Sequence, residues 1–251
     1  FGCNLSCRFC QNSDLSQEIV PGDFIPPDRL LELACSIPEN IGVAFTYNEP
    51  GVWYEYVMDC GAALRKAGKK TVLVTNGYLE AEPWKNLCRV TDAMNIDLKG
   101  FSDDFYRPVC GGSLKPILEN ITTAVKAGVP VELTNLVVTG LNTDPAAFDQ
   151  MVAWVADLSP EIPFHLSRYF PRYRETAPAT APEVLEDFFR RAGRRLPFTY
   201  VGNIALDAGQ NTCCPACGKT VIERSGYSTR VLVSRPVCDC GQTLPIVGLS
   251  G

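Results

Sequence analysis

The chain has 251 residues, of which 46% are hydrophobic and 20% charged, and its net charge is −5. That length and balance suit one large α/β domain with a small appendage, and they argue against non-specific binding to nucleic acid or a membrane surface. No apolar run of about 18 residues is present and the N-terminus lacks the basic start and apolar core of a signal peptide, so neither a membrane-spanning helix nor a secreted protein is expected.

The chain opens with Phe1-Gly-Cys-Asn-Leu-Ser-Cys-Arg-Phe-Cys-Gln-Asn12, in which Cys3, Cys7 and Cys10 form a C-x3-C-x2-C run. Three thiolates on one short loop suit three irons of a cubane iron–sulfur cluster. No fourth cysteine follows at matching spacing, so one iron is left for an outside ligand, whereas electron-transfer clusters are held by four cysteines. A zinc knuckle is the competing reading, but knuckles use C-x2-C pairs and a fourth ligand. The loop starts two residues before its first cysteine, and a strand upstream of Phe1 is expected to carry it.

A polar stretch follows, then Pro26-Pro27-Asp28 starts a short helix that runs to about Ser36. Ile41 to Thr46 reads as a buried strand ending in Tyr47-Asn-Glu-Pro50, and Val52 to Ala67 as a helix stopped by Gly68. Lys70 to Thr75 is a strand ending at Asn76-Gly77, Pro83 to Arg89 a helix, and Ala93 to Leu98 a strand ending at Lys99-Gly100. Leu114 to Ala127 is a helix stopped by Gly128, and Val131 to Val138 a strand. Pro145 to Leu158 is a helix with Asp144 as its N-cap. Phe164 to Tyr169 is a strand, Pro182 to Arg195 a helix, and Phe198 to Val201 a last short strand. Strands and helices alternating at roughly 30-residue spacing imply parallel strands with covering helices. The polar residues gather where strands end: Glu49, Asn76, Asp97, Lys99, Asn135, His165 and Arg168. In a parallel barrel those ends share one face, where active sites form. A Rossmann sheet competes, but no G-x-G-x-x-G follows a strand. The expected fold is thus a partial (β/α) barrel of about six units over residues 1–210, with a cysteine-rich tail over 211–251.

Twelve cysteines are many: eight sit in two terminal clusters and four stand singly, which favours metal ligation in a reducing cytosol over disulfides. In the tail, Cys214-Pro-Ala-Cys217-Gly and Cys238-Asp-Cys240-Gly flank two apolar runs, Thr220-Val-Ile and Arg230-Val-Leu-Val, consistent with a hairpin. This pattern is like a zinc ribbon, although the second pair is C-x-C, one residue short. An auxiliary iron–sulfur cluster is the rival reading, with Cys213 a further candidate ligand. Cys35, Cys60 and Cys88 fall within helices and read as core. Cys110, beside Gly111-Gly112, reads either as a small buried hydrophobe or as a hydrogen-atom donor to a radical.

Each strand-end residue has a plain reading. Glu49 suits a helix N-terminus, and Asn76-Gly77 is a turn signal. Asp97 and Lys99 share one side of a strand and would neutralise each other. His165, the one histidine, is more often structural than catalytic. The run Arg168-Tyr-Phe-Pro-Arg-Tyr-Arg174 interleaves basic and aromatic residues as single-strand binders do, but it is brief and the chain is acidic. A substrate-facing rim or packing around a proline bend suits it better.

Together, the cysteine loop with Gln11-Asn12, Tyr47-Asn48-Glu49-Pro50, Val74-Thr75-Asn76-Gly77-Tyr78, Asn95-Ile-Asp97-Leu-Lys99-Gly100, Phe164-His165-Leu-Ser-Arg168-Tyr-Phe-Pro171 and the Cys-Pro-x-Cys-Gly tail resemble one family over nearly the whole chain. It is the AmmeMemoRadiSam-system branch of the radical SAM enzymes, near the pyruvate formate-lyase activating enzymes. The resemblance implies a 4Fe-4S cluster on Cys3, Cys7 and Cys10, with S-adenosylmethionine (SAM) chelating the open iron. It implies reductive cleavage of SAM to a 5′-deoxyadenosyl radical that takes hydrogen from a substrate, a protein if the chain acts as a glycyl-radical activase. A small molecule or nucleotide is the alternative substrate, and a non-enzymatic metal protein the remaining one. By the same resemblance Glu49 bonds the SAM ammonium, Thr75 and Asn76 line the cofactor, and Asp97 and Lys99 face it. His165 meets the adenosine or ribose, Phe9 lies beside the adenine, and Asn12 contacts SAM near the cluster. An aspartate that usually precedes Thr75-Asn76 and helps hold a cation is Val74 here. Zinc on Cys214, Cys217, Cys238 and Cys240, an electron donor such as flavodoxin or ferredoxin, and a cytoplasmic location complete the expectation.

Overall fold

The computed structural model describes residues 1–18, 21–206 and 208–249. Short runs of β-branched and aliphatic residues form its strands. Gly42–Phe45 (β1), Lys70–Thr75 (β2), Ala93–Asp97 (β3), Val131–Val137 (β4), Phe164–Arg168 (β5) and Thr199–Gly202 (β6) lie in one sheet in that order. The pairings β1/β2, β2/β3, β3/β4 and β5/β6 are parallel. Around and between them run Ser13–Ser16 (α1), Pro27–Ser36 (α2), Tyr54–Lys66 (α3), Ala81–Val90 (α4), Asp103–Phe105 (α5), Leu114–Lys126 (α6), Pro145–Leu158 (α7) and Pro182–Ala192 (α8). Thr212–Cys213 (β7), Thr220–Ser225 (β8) and Ser228–Val231 (β9) form a separate three-stranded antiparallel sheet in the tail. The strand–helix alternation read from the sequence is therefore the sheet observed, and the tail hairpin is present.

The two glycine stops work in the same way. Gly68 and Gly128 sit at φ +71° and +76°. In α3, Lys69 N donates to Leu64 O at 2.9 Å and Gly68 N to Arg65 O at 3.1 Å; in α6, Val129 N donates to Ala124 O at 3.1 Å and Gly128 N to Val125 O at 3.0 Å. Both satisfy the last carbonyls of a helix by a left-handed turn that a side chain would strain. Asp144 caps α7, accepting from Ala146 N and Ala147 N at 3.2 and 3.3 Å.

Three expectations need correction. The Ile41–Thr46 stretch is not a buried strand: β1 stands first in the sheet order, with Ile41 78% exposed before it. Cys35 is exposed, because the neighbouring Ala34 takes the inward face of α2; Cys60 and Cys88 are buried as expected. Cys110 ends a π-helical turn, Tyr106–Cys110, and is fully buried, as its reading as a small buried hydrophobe has it. The helix expected from Val52 begins instead as a 3-10 turn, Pro50–Trp53, and turns regular at Tyr54.

The chain divides into two compact units, Phe1–Thr134 with Pro171–Ala177, and Asn135–Phe170 with the chain from Pro178 on. In the first, fully buried Trp84 donates Nε1 to Asn120 O at 2.8 Å, and Asn120 Nδ2 donates to Gly77 O at 3.0 Å and Leu79 O at 2.7 Å. Helix α6 thereby holds the turn that leaves β2. In the second, Phe148 of α7 stacks on Phe188 of α8 at 3.9 Å between ring centres. No helix among the described residues is long and apolar enough to cross a membrane. Asn120→Leu removes both donors and strands two carbonyls; it is expected to lower stability by about 1–3 kcal/mol in urea unfolding, with the denaturant slope unchanged.

Candidate functional site

The cysteine loop has no regular structure between Phe1 and Asn12 and is held from outside. Gly2 N donates to Leu15 O at 3.1 Å, Ser6 N to Cys110 O at 2.8 Å and Arg8 N to Val109 O at 2.9 Å; Arg8 O accepts from Arg174 N at 3.0 Å. Gln17 Nε2 donates to Leu5 O at 3.0 Å. The two bonds to Val109 and Cys110 bracket Cys7, and the Cys110 side chain beside it holds the Cys7 thiol below its usual range. The same contact with Cys7, and burial after it, push the Cys110 thiol far up. Cys3 Sγ lies 3.4 Å from Leu5 N and 3.5 Å from Asn76 Nδ2, and Cys10 Sγ 3.1 Å from Ser16 Oγ. Burial raises the Cys3 thiol to about 11.

Glu49 joins this loop to two strand ends. The side chain is 3% exposed, and its carboxylate accepts from Gly51 N at 2.8 Å, Thr75 Oγ1 at 2.7 Å and Asn76 N at 2.7 Å. Its own backbone N donates to Gly2 O at 3.1 Å. Period-two alternation along β2 turns Thr75 inward with Leu73, which delivers its hydroxyl to Glu49. Burial raises the Glu49 carboxyl in spite of the three donors. Oε1 takes two of them and Oε2 one, which leaves Oε2 capacity for a further donor. Next to it, Asn48 Oδ1 is buried without a partner among the described residues. Tyr47 stands at φ +74°, a conformation that costs an aromatic residue energy and recurs at functional sites.

Asp97 and Lys99 form an ion pair at 2.8 Å, as the alternation of β3 requires. Burial would lower the Lys99 ammonium, but the Asp97 carboxylate overrides it and keeps Lys99 protonated, and that charge acts on Cys3 and Cys7. Phe9 is buried and stacks on Phe105 at 6.1 Å between ring centres. Asn12 is exposed ahead of α1. His165, in the second unit, faces Tyr200 across the β5/β6 register, with ring centres 5.3 Å apart.

The basic residues of the Arg168–Arg174 run are engaged within the protein. Arg168 Nε donates to Thr180 O at 2.8 Å and its guanidinium covers Phe170, Arg172 pairs with Asp14 at 2.6 Å, and Arg174 lies over Tyr173.

In the tail, Cys214, Cys217, Cys238 and Cys240 place their four sulfurs within 4.8 Å of one another. Cys214 and Cys240 are 3.6 Å apart, Cys217 and Cys238 3.7 Å. A tetrahedral ion with metal–sulfur bonds of about 2.3 Å spaces its thiolates about 3.8 Å apart. Lys219 and Asp239 pair across the two knuckles. Burial pushes the Cys214 thiol up, but the Cys217 and Ala216 amides and the facing Cys240 thiol bring it to about 7. Cys213 is exposed and lies outside this quartet.

In the first unit, the ends of two parallel strands, β1 and β2, are bonded to a three-cysteine loop. Residues 1–155 match the model of the Radical SAM superfamily, and the chain belongs to that superfamily. It is an enzyme, and membership implies a 4Fe-4S cluster and SAM. The donor set fits: three cysteines on one loop accept hydrogen bonds or carry a cation nearby, and the Glu49 carboxylate has room for one more donor. A protein of Methanocaldococcus jannaschii, MJ0808, is 40% identical over 98% of this chain and 76% of its own length. The pyruvate formate-lyase 1-activating enzyme of Escherichia coli K12 is 26% identical over 62% of this chain and 66% of its own length. A domain of the pyruvate-formate lyase-activating enzyme of Bacteroides vulgatus superposes with a TM-score of 0.57 at 21% identity, covering 64% of this chain and 99% of that domain, which shows the shared fold.

The motif reading missed the Tyr106–Gly112 segment as the floor of the cysteine loop. Its one signal was Gly111-Gly112. Gly111 sits at φ +74° and a Cβ there would come within 2.5 Å of Ser6 Oγ. Gly111→Ala is expected to lower stability by about 1–2 kcal/mol through the left-handed backbone alone, plus a steric part. Adding Ser6→Ala should restore only the steric part, read by urea unfolding of the single and double variants.

Proposed function

We propose that Cys3, Cys7 and Cys10 hold the 4Fe-4S cluster, that SAM fills its open iron, and that the chain is an activating-type enzyme whose substrate is a protein. The observation that carries this reading is the bonding of the cysteine loop to the Glu49–Thr75–Asn76 node, which brings cluster ligands and cofactor-binding candidates onto one face. Held by Cys3, Cys7 and Cys10, the cluster would supply one electron, taken from an external reductant, for cleavage of SAM to methionine and a 5′-deoxyadenosyl radical able to take hydrogen from the substrate.

The chain's own residues bind and orient. Glu49 Oε2 accepts from the SAM ammonium, a charge-assisted bond, and Asn48 Oδ1 offers a second acceptor beside it. Asn76 steadies Cys3. Lys99, held protonated by Asp97, offsets the negative charge gathered at the thiolates and draws the SAM carboxylate. Asn12 touches SAM near the cluster, Phe9 backs the adenine side of the loop, and His165 meets the adenosine. An electron donor of the flavodoxin or ferredoxin class and a cytoplasmic setting suit this chemistry. The AmmeMemoRadiSam branch is the assignment the motifs favour, with residues 1–210 as the catalytic part and 211–251 as a module that binds one zinc ion. Single-ion spacing in the quartet favours zinc over an auxiliary cluster there.

Anaerobically reconstituted protein with dithionite is expected to cleave SAM to 5′-deoxyadenosine, and Cys7→Ala to lose both the cluster and the cleavage. Cleavage retained in Cys7→Ala overturns the ligand assignment. A glycyl signal in the electron paramagnetic resonance of a partner protein supports the protein substrate; turnover on a small molecule or nucleotide without such a signal overturns it. Cys217→Ala should lose zinc and keep the iron, whereas loss of about four irons with that change points to an auxiliary cluster.

A further inference from the structure

Tyr200 and Arg224 have no part in the chemistry above, yet they join the tail to the chain's single histidine. His165 and Tyr200 are register partners on β5 and β6, their rings 5.3 Å apart and inclined by 28°. Arg224, on β8, holds its guanidinium 5.1 Å from the centre of the Tyr200 ring. Its Nη1 donates to Thr212 Oγ1 at 2.8 Å and Gln210 O at 3.3 Å, and its backbone N to Asn211 Oδ1 at 2.8 Å. The Tyr200 hydroxyl lies 2.8 Å from the same Thr212 Oγ1. The ring is thus fixed at its face by a cation and at its hydroxyl by β7.

Those anchors depend on the quartet. Thr212 pairs with Ile222 and stands two residues before Cys214, and Arg224 lies two residues after Ile222. The turn joining β7 to β8 is the Cys214–Cys217 knuckle, closed by Gly218 N to Cys214 O at 2.9 Å and Cys214 N to Lys219 O at 2.8 Å. Without an ion the four sulfurs are joined only by weak thiol contacts, Cys214 to Cys240 and Cys217 to Cys238, so an empty quartet loosens the strands that carry Thr212 and Arg224.

We propose that ion binding by the Cys214, Cys217, Cys238 and Cys240 quartet positions His165 through Arg224 and Tyr200, so that the metal state of the tail is read at the end of β5. The consequence for catalysis rests on the reading of His165 as a SAM contact; the coupling does not. Tyr200 and Arg224 are positioning residues.

The single histidine makes the test specific. The full chain, loaded with cluster and zinc and labelled at its imidazole with nitrogen-15, gives one pair of ring resonances. Cys217→Ser and Arg224→Met are each expected to move that pair by more than its linewidth with iron content unchanged, and Arg224→Lys, which keeps a cation over the ring, to return it toward the native position. Resonances that stay in place in Cys217→Ser after its zinc is gone, and in Arg224→Met, overturn the coupling. Should Cys217→Ser lose the dispersed signals of its unit, Arg224→Met, with all four thiols intact, decides. Addition of SAM to the unaltered protein separates the two ideas: a His165 signal indifferent to SAM removes the SAM contact, and the coupling is judged on the tail variants alone.

Discussion

A carboxylate 3% exposed is an expensive thing to bury, and the active end of the first unit is arranged around satisfying the one on Glu49. Its three donors come from three places in the chain: the turn after β1, the last residue of β2 and the residue beyond it. Bringing them together fixes where β1 and β2 end relative to each other, and the backbone of Glu49 ties the start of the cysteine loop to the same point. Burial still raises the carboxyl, so three neutral donors do not fully replace water. A cationic ligand group would complete the set. That makes the node a structural joint with acceptor capacity left on Oε2.

The cysteine loop imports its shape. Backbone or amide contacts reach it from Leu15, Gln17, Glu49, Asn76, Val109, Cys110 and Arg174, and the loop supplies little rigidity of its own. The π-helical turn matters here: its widened ring lets Val109 and Cys110 both aim carbonyls at the loop, on either side of Cys7. Gly111 and Gly112 then let the chain leave without striking Ser6 and Leu5. The Asp97–Lys99 pair adds charge without adding reach, since Lys99 stays protonated beside two of the three thiols.

Elements set by local chemistry were legible in the sequence. β2 and α7 fall where the residues place them, because Thr and Val alternation, the Asp144-Pro145 start and the glycine stops are decisions made within a few residues. Residue types at strand ends were legible too. What linked them was not: Glu49 and Thr75 lie 26 residues apart, and no local pattern says that one accepts from the other. What covers a strand's start is not written in its residue types, which is why Ile41 read as buried and is exposed. The turn at Tyr106–Cys110 was hidden by Pro108, a residue that ordinarily argues against any helix.

The tail carries the same lesson in a different form. Its second pair is a residue shorter than a ribbon ordinarily uses, and spacing alone counted against a shared ion. Spacing is only a proxy for where sulfurs go. The Cys238–Gly241 turn, with Gly241 N donating to Cys238 O at 2.8 Å and Cys238 N to Gln242 O at 2.8 Å, sets Cys238 and Cys240 at distances a single tetrahedral ion requires. A cubane places each thiolate on a different iron and so needs them farther apart than the 3.6 and 3.7 Å that separate Cys214 from Cys240 and Cys217 from Cys238. The geometry that gathers the four sulfurs is therefore also the geometry that closes the β7–β8 strands.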